Sequence, residues 1–459
     1  MRITINTLES VLHTDNEKLM GALYTLYSFK AKGARYSPAY KKGHWDGKTH
    51  FITKGGKFRT GLMPKVLADL EKIECVPELE YETEPVAFDL VDDLDIEGFT
   101  YYDYQSDLID EALRVQRCVL KSPTGSGKTL IMAGMVKALI KEGRKMVILF
   151  NAKHLITQTY EFLTDVCGFD NIGICFGEGY VYGDIMLCTV QSIERIIDTH
   201  VEETQVLMVD ECHEFCNGER TLAAIQSFPN AQYRYGFTAT PPREDIPLHS
   251  LQGAFGAIIE TVTTSDLVKS GHLTKPIIQL VKRDYTASGE DDDLTYLEVY
   301  DEYIVNNESR NDKIKEIVDA IKENNRRPRV LVLTRSLAHG RALEKLLGGQ
   351  CEFLEGANSL GERYQSISRF RGCEGPSVLI GTKILQTGVN IEEITHLINA
   401  RGMKSEIATL QALGRALRKH KTKKEVYVYD FLDQEKYLRG HSTSRRRHYK
   451  REGHEINII

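Results

Sequence analysis

Tryptophan is almost missing from this sequence, with one residue, Trp45, in 459. No apolar stretch is long enough to span a bilayer, so no membrane partner is expected. The start, MRITINTLES, has neither a basic n-region nor an apolar h-region, and a cytoplasmic location is the expectation. Nine cysteines include no C-x-x-C pair. Cys118, Cys188 and Cys351 lie in apolar, strand-like runs, so reduced core thiols are expected rather than a disulfide framework. Cys212, His213 and Cys216 sit close enough to be read as metal ligands, but no second ligand pair with zinc-like spacing accompanies them. Positive charge is not in excess either: 59 Lys and Arg face 65 Asp and Glu, a net −6. That balance argues against a protein that simply coats nucleic acid.

What is present is a soluble globular composition, 41% hydrophobic and 27% charged, in a chain long enough for two or three domains. The charge is unevenly distributed. Between Phe29 and Lys65 there are ten Lys or Arg against one acid, Asp46. From Glu78 to Glu97 there are nine acids and no Lys or Arg. The expected order is a small basic α+β domain over 1–77, an acidic linker over 78–97, an α/β domain over 98–268, a second over 269–434, and a basic tail over 435–459. Within the α/β part, strand-like runs such as KMVILFN, DIMLCTV, VLMVDE and RVLVLTRS alternate with helical segments. They are apolar throughout, as expected of parallel sheets covered by helices on both faces. The tail has no hydrophobic period and is expected to be mobile or to fold only on a partner, and to add non-specific DNA affinity.

Three stretches carry chemistry. SPTGSGKT comprises Ser122, Pro123, Thr124, Gly125, Ser126, Gly127, Lys128 and Thr129, between a strand and a helix. Its glycines let the backbone curl round an anion at a helix start, with Lys128 for the β and γ phosphates and Thr129 for Mg²⁺. Ser122 stands where the full phosphate-loop pattern has glycine. VLMVDECHEF places Asp210 and Glu211 at the end of a buried strand, Asp210 suited to hold Mg²⁺ and Glu211 to polarise the attacking water. QALGRALR spaces Gln411, Arg415 and Arg418 by four and three, putting all three on one helix face. Such arginines either stabilise phosphoryl charge across a closing cleft or form a solvated basic face.

Together these residues resemble the ordered motifs of superfamily 2 helicases and translocases, over about Tyr101 to Asp433. DYQ resembles the adenine-reading glutamine segment through Gln105, and SPTGSGKT resembles motif I. NAKHLITQ, TVQSI, DECH and TAT resemble motifs Ia through III, while VLVLTRS, GTKILQTGVNI and QALGRALR resemble motifs IV, V and VI. The resemblance implies two tandem RecA-like parallel-sheet domains that use ATP and Mg²⁺. It implies that His213, Thr238 and Thr240 couple the nucleotide site to the strand-binding surface, that Gly388 lines the ATP cleft, and that Gln191 and Thr382 touch nucleic acid. Tyr102 stands where an arginine often precedes YQ, and Asn390 where motif V often has aspartate. The N-terminal PAYKKGHWDGK resembles the first domain of phage UvsW-type helicases, which unwind branched DNA and drive branch migration, and this implies a host-cell cytoplasmic location. Lys41, Lys42, Lys48, Lys54 and Lys57 are then candidate phosphate contacts, and Trp45 either stacks on a base or anchors the small core. The leading expectation is an ATP-dependent DNA helicase acting on forks or junctions. The alternatives are an RNA helicase, a duplex translocase, or a protein that anneals nucleic acid with ATP as a conformational ligand only.

Overall fold

The apolar runs of the first α/β segment become parallel strands buried on both faces. In the computed structural model, which describes residues 1–82, 94, 96–141, 143–282, 294–349, 351–382, 391–421 and 423–459, they form an eight-stranded sheet. Its order is Gly179–Val181, Ile172–Phe176, Ile185–Thr189, Met146–Phe150, Val206–Val209, Tyr233–Thr238, Arg117–Lys121, Ala257–Ile259. All neighbours are parallel except the first pair. Successive residues of a strand point to opposite faces. Met146, Ile148 and Phe150 accordingly join one hydrophobic cluster, and Val147 and Leu149 join the other. The helices Asp103–Val115 and Lys128–Ile140 cover the first of these faces.

Ahead of this sheet stands a smaller one, ordered Lys57–Arg59, Glu9–His13, Arg2–Ile5, Glu78–Tyr81, packed under the helices Glu17–Leu26 and Met63–Glu71. Here the expected boundary at 77 is corrected. Glu78–Tyr81, read as the start of an acidic linker, pairs parallel with Arg2–Ile5 as an edge strand. Its acids can lie in a strand because an edge leaves one side open to water. Most of the remaining linker, 83–93 and 95, lies outside the described residues.

The small domain rests on the helix Asp245–Phe255 of the first α/β domain. At Gly61 the approach is so close that a Cβ would come within 2.2 Å of the Gln252 carbonyl oxygen. His249 of that helix lies among Phe29, Phe51 and Tyr27, with ring centroids 4.5, 5.3 and 6.0 Å away. Lys32 pairs with Glu244, and Arg117 donates to the Thr7 carbonyl. Met1–Ser122 and Gly127–Thr261 therefore make up one compact unit, and Pro123–Ser126 with Val262–Ile459 make up the other.

The second unit holds a seven-stranded, all-parallel sheet ordered Cys351–Leu354, Ser377–Gly381, Arg329–Leu333, His396–Asn399, Glu425–Leu432, Lys275–Lys282, Glu455–Ile458. The last strand overturns the expectation of a mobile tail. Residues 438–451 form the helix Leu438–Arg451, and Glu455–Ile458 then completes the sheet edge beside Lys275–Lys282. The cause is a buried ionic anchor. Arg445 Nε lies 3.0 and 2.9 Å from the two Asp430 oxygens, its Nη2 donates to the Phe431 carbonyl, and Tyr449 Oη donates to Asp430 at 2.8 Å. Arg310 reaches Asp433 from the other side at 3.1 Å. Charged groups so deep in a fold persist only when paired in this way.

Candidate active site and nucleic-acid interface

Three neighbouring strands of the first unit deliver the candidate chemistry at their carboxyl ends, the usual place for ligand crevices in parallel sheets. Arg117–Lys121 leads into the phosphate turn, Tyr233–Thr238 ends at Thr238, and Val206–Val209 leads to Asp210 and Glu211. The turn is tied to its neighbour by the Ser122 N–H, which donates to the Thr238 carbonyl at 3.0 Å. Ser126 is buried, and its hydroxyl donates to the Pro123 carbonyl at 2.7 Å. Gly125 and Gly127 have φ of +88° and +85°, conformations open to glycine at little cost. Gln105 is 2% exposed, accepts the Tyr102 N–H at 3.0 Å, and approaches Gly127 so closely that a Cβ there would meet its Nε2 at 2.4 Å. The glutamine segment and motif I are therefore in contact, which sequence spacing does not reveal.

Lys128 Nζ lies 2.8 Å from Glu211 Oε1. Burial alone would depress this ammonium, but Glu211 and Asp210 outweigh it and hold its pKa above the ordinary lysine value. Burial and the neighbouring Glu211 push the Asp210 carboxyl up, against the pull of Lys128. Glu211 is in the left-handed region, φ 47° and ψ 46°. That costs a non-glycine residue about 1 kcal/mol or more. Thr129 is exposed at the helix start. A hydroxyl, a carboxylate and water are the oxygen donors that Mg²⁺ prefers, so Thr129 and Asp210 fit such an ion.

His213 is 3% exposed, and its Nδ1 meets Thr238 Oγ1 at 2.8 Å. Burial depresses its pKa, so it is neutral near pH 7. Thr238 Oγ1 also accepts the Thr240 N–H at 3.1 Å. One hydroxyl thus joins His213 of motif II to Thr240 of motif III. His213 Nε2 is buried with no hydrogen-bond partner among the described residues.

In the second unit, Gln411 and Arg415 lie on the helix Glu406–Ala416, but Arg418 does not. The expectation of three residues on one helix face is corrected. Leu417 is the C-cap, and Thr274 receives the chain end, its N–H donating to the Leu417 carbonyl at 2.7 Å and its hydroxyl to the Arg418 carbonyl at 3.3 Å. Gly388 and Asn390 of motif V lie outside the described residues. Thr382 follows the strand Ser377–Gly381 and is half-buried, and Gln191 is exposed at the start of the turn Val190–Ile196. In the basic domain Lys41, Lys42, Lys54 and Lys57 are exposed and Lys48 is half-buried. Lys57 pairs with Glu9 at 2.5 Å. Trp45 is half-buried and donates its indole N–H to the Lys48 carbonyl at 2.7 Å. Sequence reasoning missed the platform Asp245–Phe255 entirely, because a helix shared with another domain leaves no local pattern.

A family model described as the Type III restriction enzyme res subunit matches residues 98–243, one for the helicase conserved C-terminal domain matches 311–420, and one for the UvsW DNA helicase N-terminal domain matches 7–75. The chain is 25% identical over 446 residues to the ATP-dependent DNA helicase uvsW of Enterobacteria phage T4, covering 91% of this chain and 87% of that protein. Among solved structures, the Type ISP restriction-modification enzyme LlaBIII bound to DNA superposes with a TM-score of 0.59 at 15% identity, covering 79% of this chain and 31% of that one. S. cerevisiae Dbp5 bound to RNA and ADP BeF3 gives 0.55 at 14% identity, covering 77% and 89%. At such identities these structures speak for the RecA-like fold alone, and one holds DNA where the other holds RNA. Three modules are matched separately and in one order, and together they support a superfamily 2, UvsW-like helicase.

Proposed function

We propose that this protein is an ATP-dependent DNA helicase that unwinds or branch-migrates forked and junction DNA in replication, recombination or repair. The observation that carries the reading is the Lys128–Glu211 pair at the strand ends, in a chain whose first domain presents Lys41, Lys42 and Lys54 without ion pairs among the described residues. In the structure Glu211 is held by Lys128. A bound triphosphate offers Lys128 a stronger anionic partner, and Glu211 is released to orient water for attack on the γ phosphate. The turn from Ser122 to Thr129 cradles the phosphates with its N–H groups, and Gln105 reads the base. Mg²⁺, when bound, spreads the charge that develops between the β and γ phosphates. Thr129 and Asp210 are the residues that would hold it. Gln411, Arg415 and Arg418 are the second unit's candidates for binding phosphate charge. Thr238 relays the state of Glu211 through His213 to Thr240 and so to the DNA contacts, among which we count Gln191 and Thr382.

Steady-state ATP hydrolysis tests this at one salt concentration, with single-stranded DNA, blunt duplex, fork, four-way junction and matched RNA. Strongest stimulation by fork or junction is expected, and preference for RNA withdraws the DNA assignment. Lys128→Ala is expected to lose hydrolysis by at least about 100-fold while retaining DNA binding. Undiminished unwinding by that variant sinks the motor.

A further inference from the structure

Between the strands Ser28–Lys30 and Lys48–His50 the first domain sends out its longest loop, through a turn at Ala34–Tyr36 and a short helix at Pro38–Lys41. The tryptophan in this loop is already engaged. An indole has one polar group, a donor, and that of Trp45 is spent on the Lys48 carbonyl while its ring is half-buried. This geometry makes Trp45 an anchor for the loop.

Two tyrosines of the same loop remain open to solvent. Tyr36 is 66% exposed and Tyr40 43%. Tyr40 is braced along one edge, since a Cβ on Gly47 would meet its ring at 2.9 Å. The Arg35 guanidinium lies 4.8 Å from the Tyr36 ring centroid. A single exposed tyrosine means little. Here, though, a planar cation and an aromatic ring form a preassembled pair that can take another flat π system, the arrangement by which single-strand binders hold bases. The surrounding charge selects an anion. Lys30, Lys41 and Lys42 are exposed and form no ion pair among the described residues. The one acid within the loop, Asp46, is occupied by the Lys48 N–H and by His50, and Glu244 of the neighbouring domain is engaged by Lys32.

We propose that Tyr36, paired with Arg35 and flanked by Tyr40, is the base-stacking platform of the first domain, receiving an unpaired nucleobase of a DNA strand whose phosphates lie along Lys41 and Lys42. The proposal rests on the DNA-helicase reading and names the part of the branched substrate that this domain grips. Stacking of this kind tolerates any base, so the platform recognises unpaired strand and not sequence.

The test uses the full chain and oligothymidylate, with a blunt duplex as control. Because Trp45 is the only tryptophan, combining Trp45→Phe with Tyr36→Trp leaves a single emission reporter on the platform. Its emission is expected to be quenched by oligothymidylate and much less by the duplex, while the Trp45 emission of the unmodified protein stays unchanged. Tyr36→Ala is expected to weaken single-strand binding by about 5- to 100-fold. Tyr36→Phe should restore it, since stacking needs the ring and not the hydroxyl, and hydrolysis without DNA should be untouched. Normal DNA-stimulated hydrolysis with unaltered Tyr36→Ala binding overturns the platform alone. Quenching of Trp45 with unaltered Tyr36→Ala binding returns the stacking role to the tryptophan. No stimulation of the unmodified protein by any DNA sinks the helicase reading, and the platform with it.

Discussion

The basic segment near the start of the chain and the basic segment at its end look alike as strings and are put to opposite uses. Residues 30–65 carry ten Lys or Arg against one acid, and 435–459 carry seven against three. In the first, Lys41, Lys42 and Lys54 stay in water without ion pairs among the described residues, Lys54 resting 5.7 Å over the Tyr24 ring. In the second, Arg445 turns inward and is 1% exposed against Asp430 and Asp433. Arg446 and Lys450 of the same helix remain outside. The difference lies in what each segment finds opposite it. The early loop extends beyond its small domain, whereas the late helix crosses a sheet whose strand Glu425–Leu432 presents a buried carboxylate. Counting charges therefore locates basic segments without saying which charges are available to a ligand.

Removing Arg445 should test that contrast most severely. Arg445→Met leaves Asp430 buried without its cation and is expected to cost about 3–5 kcal/mol, read as a lower urea midpoint. Lys41→Gln with Lys42→Gln should stay within about 0.5 kcal/mol of the parent. Equal midpoints for the two variants would erase the distinction. The same logic warns that deleting the tail strips a strand from the second sheet, so weakened DNA binding in such a truncation reports unfolding.

Acid should act next, and on the second unit. Burial depresses His339 to about 3, and His396 and His454 to about 4. A histidine neutral in the fold but titrating near 6.5 when unfolded contributes stability that is full above 6.5 and is lost as pH falls toward 4, because the unfolded chain takes up the protons. A loss on the order of 1 kcal/mol per imidazole is expected by about pH 5.5. Far-UV unfolding at neutral pH and at that lower pH measures it, while Trp45 emission follows the first unit separately. A pH-independent far-UV midpoint would show that these imidazoles are not held neutral.

The smallest effect is expected in DNA binding. Replacing Lys41, Lys42 and Lys54 with Gln should flatten the salt dependence by about one unit of slope for each phosphate no longer neutralised, without altering hydrolysis in the absence of DNA. Arg446→Gln with Lys450→Gln is the counterpart from the tail. If its effect is as large, the two segments differ in folding but share a function.

The central strands were legible in the sequence because a parallel strand buried on both faces must be apolar at every position, as MVILF and VLMV are. The strands that escaped lie mostly at sheet edges or carry polar ends, such as Gly179–Val181, Lys275–Lys282 and Glu455–Ile458. The helix Leu438–Arg451 escaped for a related reason. Its buried positions, Leu438, Ser442, Arg445, His448 and Tyr449, follow helical spacing, but three of the five are polar and show no hydrophobic period. Motif residues were easier to place, since glycine, lysine and paired acids at fixed local spacing announce a phosphate turn wherever they occur. Arg418 was misplaced because its helix is ended by Thr274, more than a hundred residues away.

By itself, then, the sequence determined the parallel cores of the two sheets, the phosphate turn from Ser122 to Thr129, the acidic strand end at Asp210 and Glu211, and the superfamily order of motifs. Each depends on residue type within a short window, through backbone freedom, burial or charge. Only the tertiary structure decided that Lys128 rests on Glu211, that the first domain is seated on His249, that Trp45 is engaged while Tyr36 is exposed, and that the tail is a strand of the second sheet. Those outcomes depend on partners distant in the chain, and whether a polar side chain is buried or exposed is settled by the group it meets there.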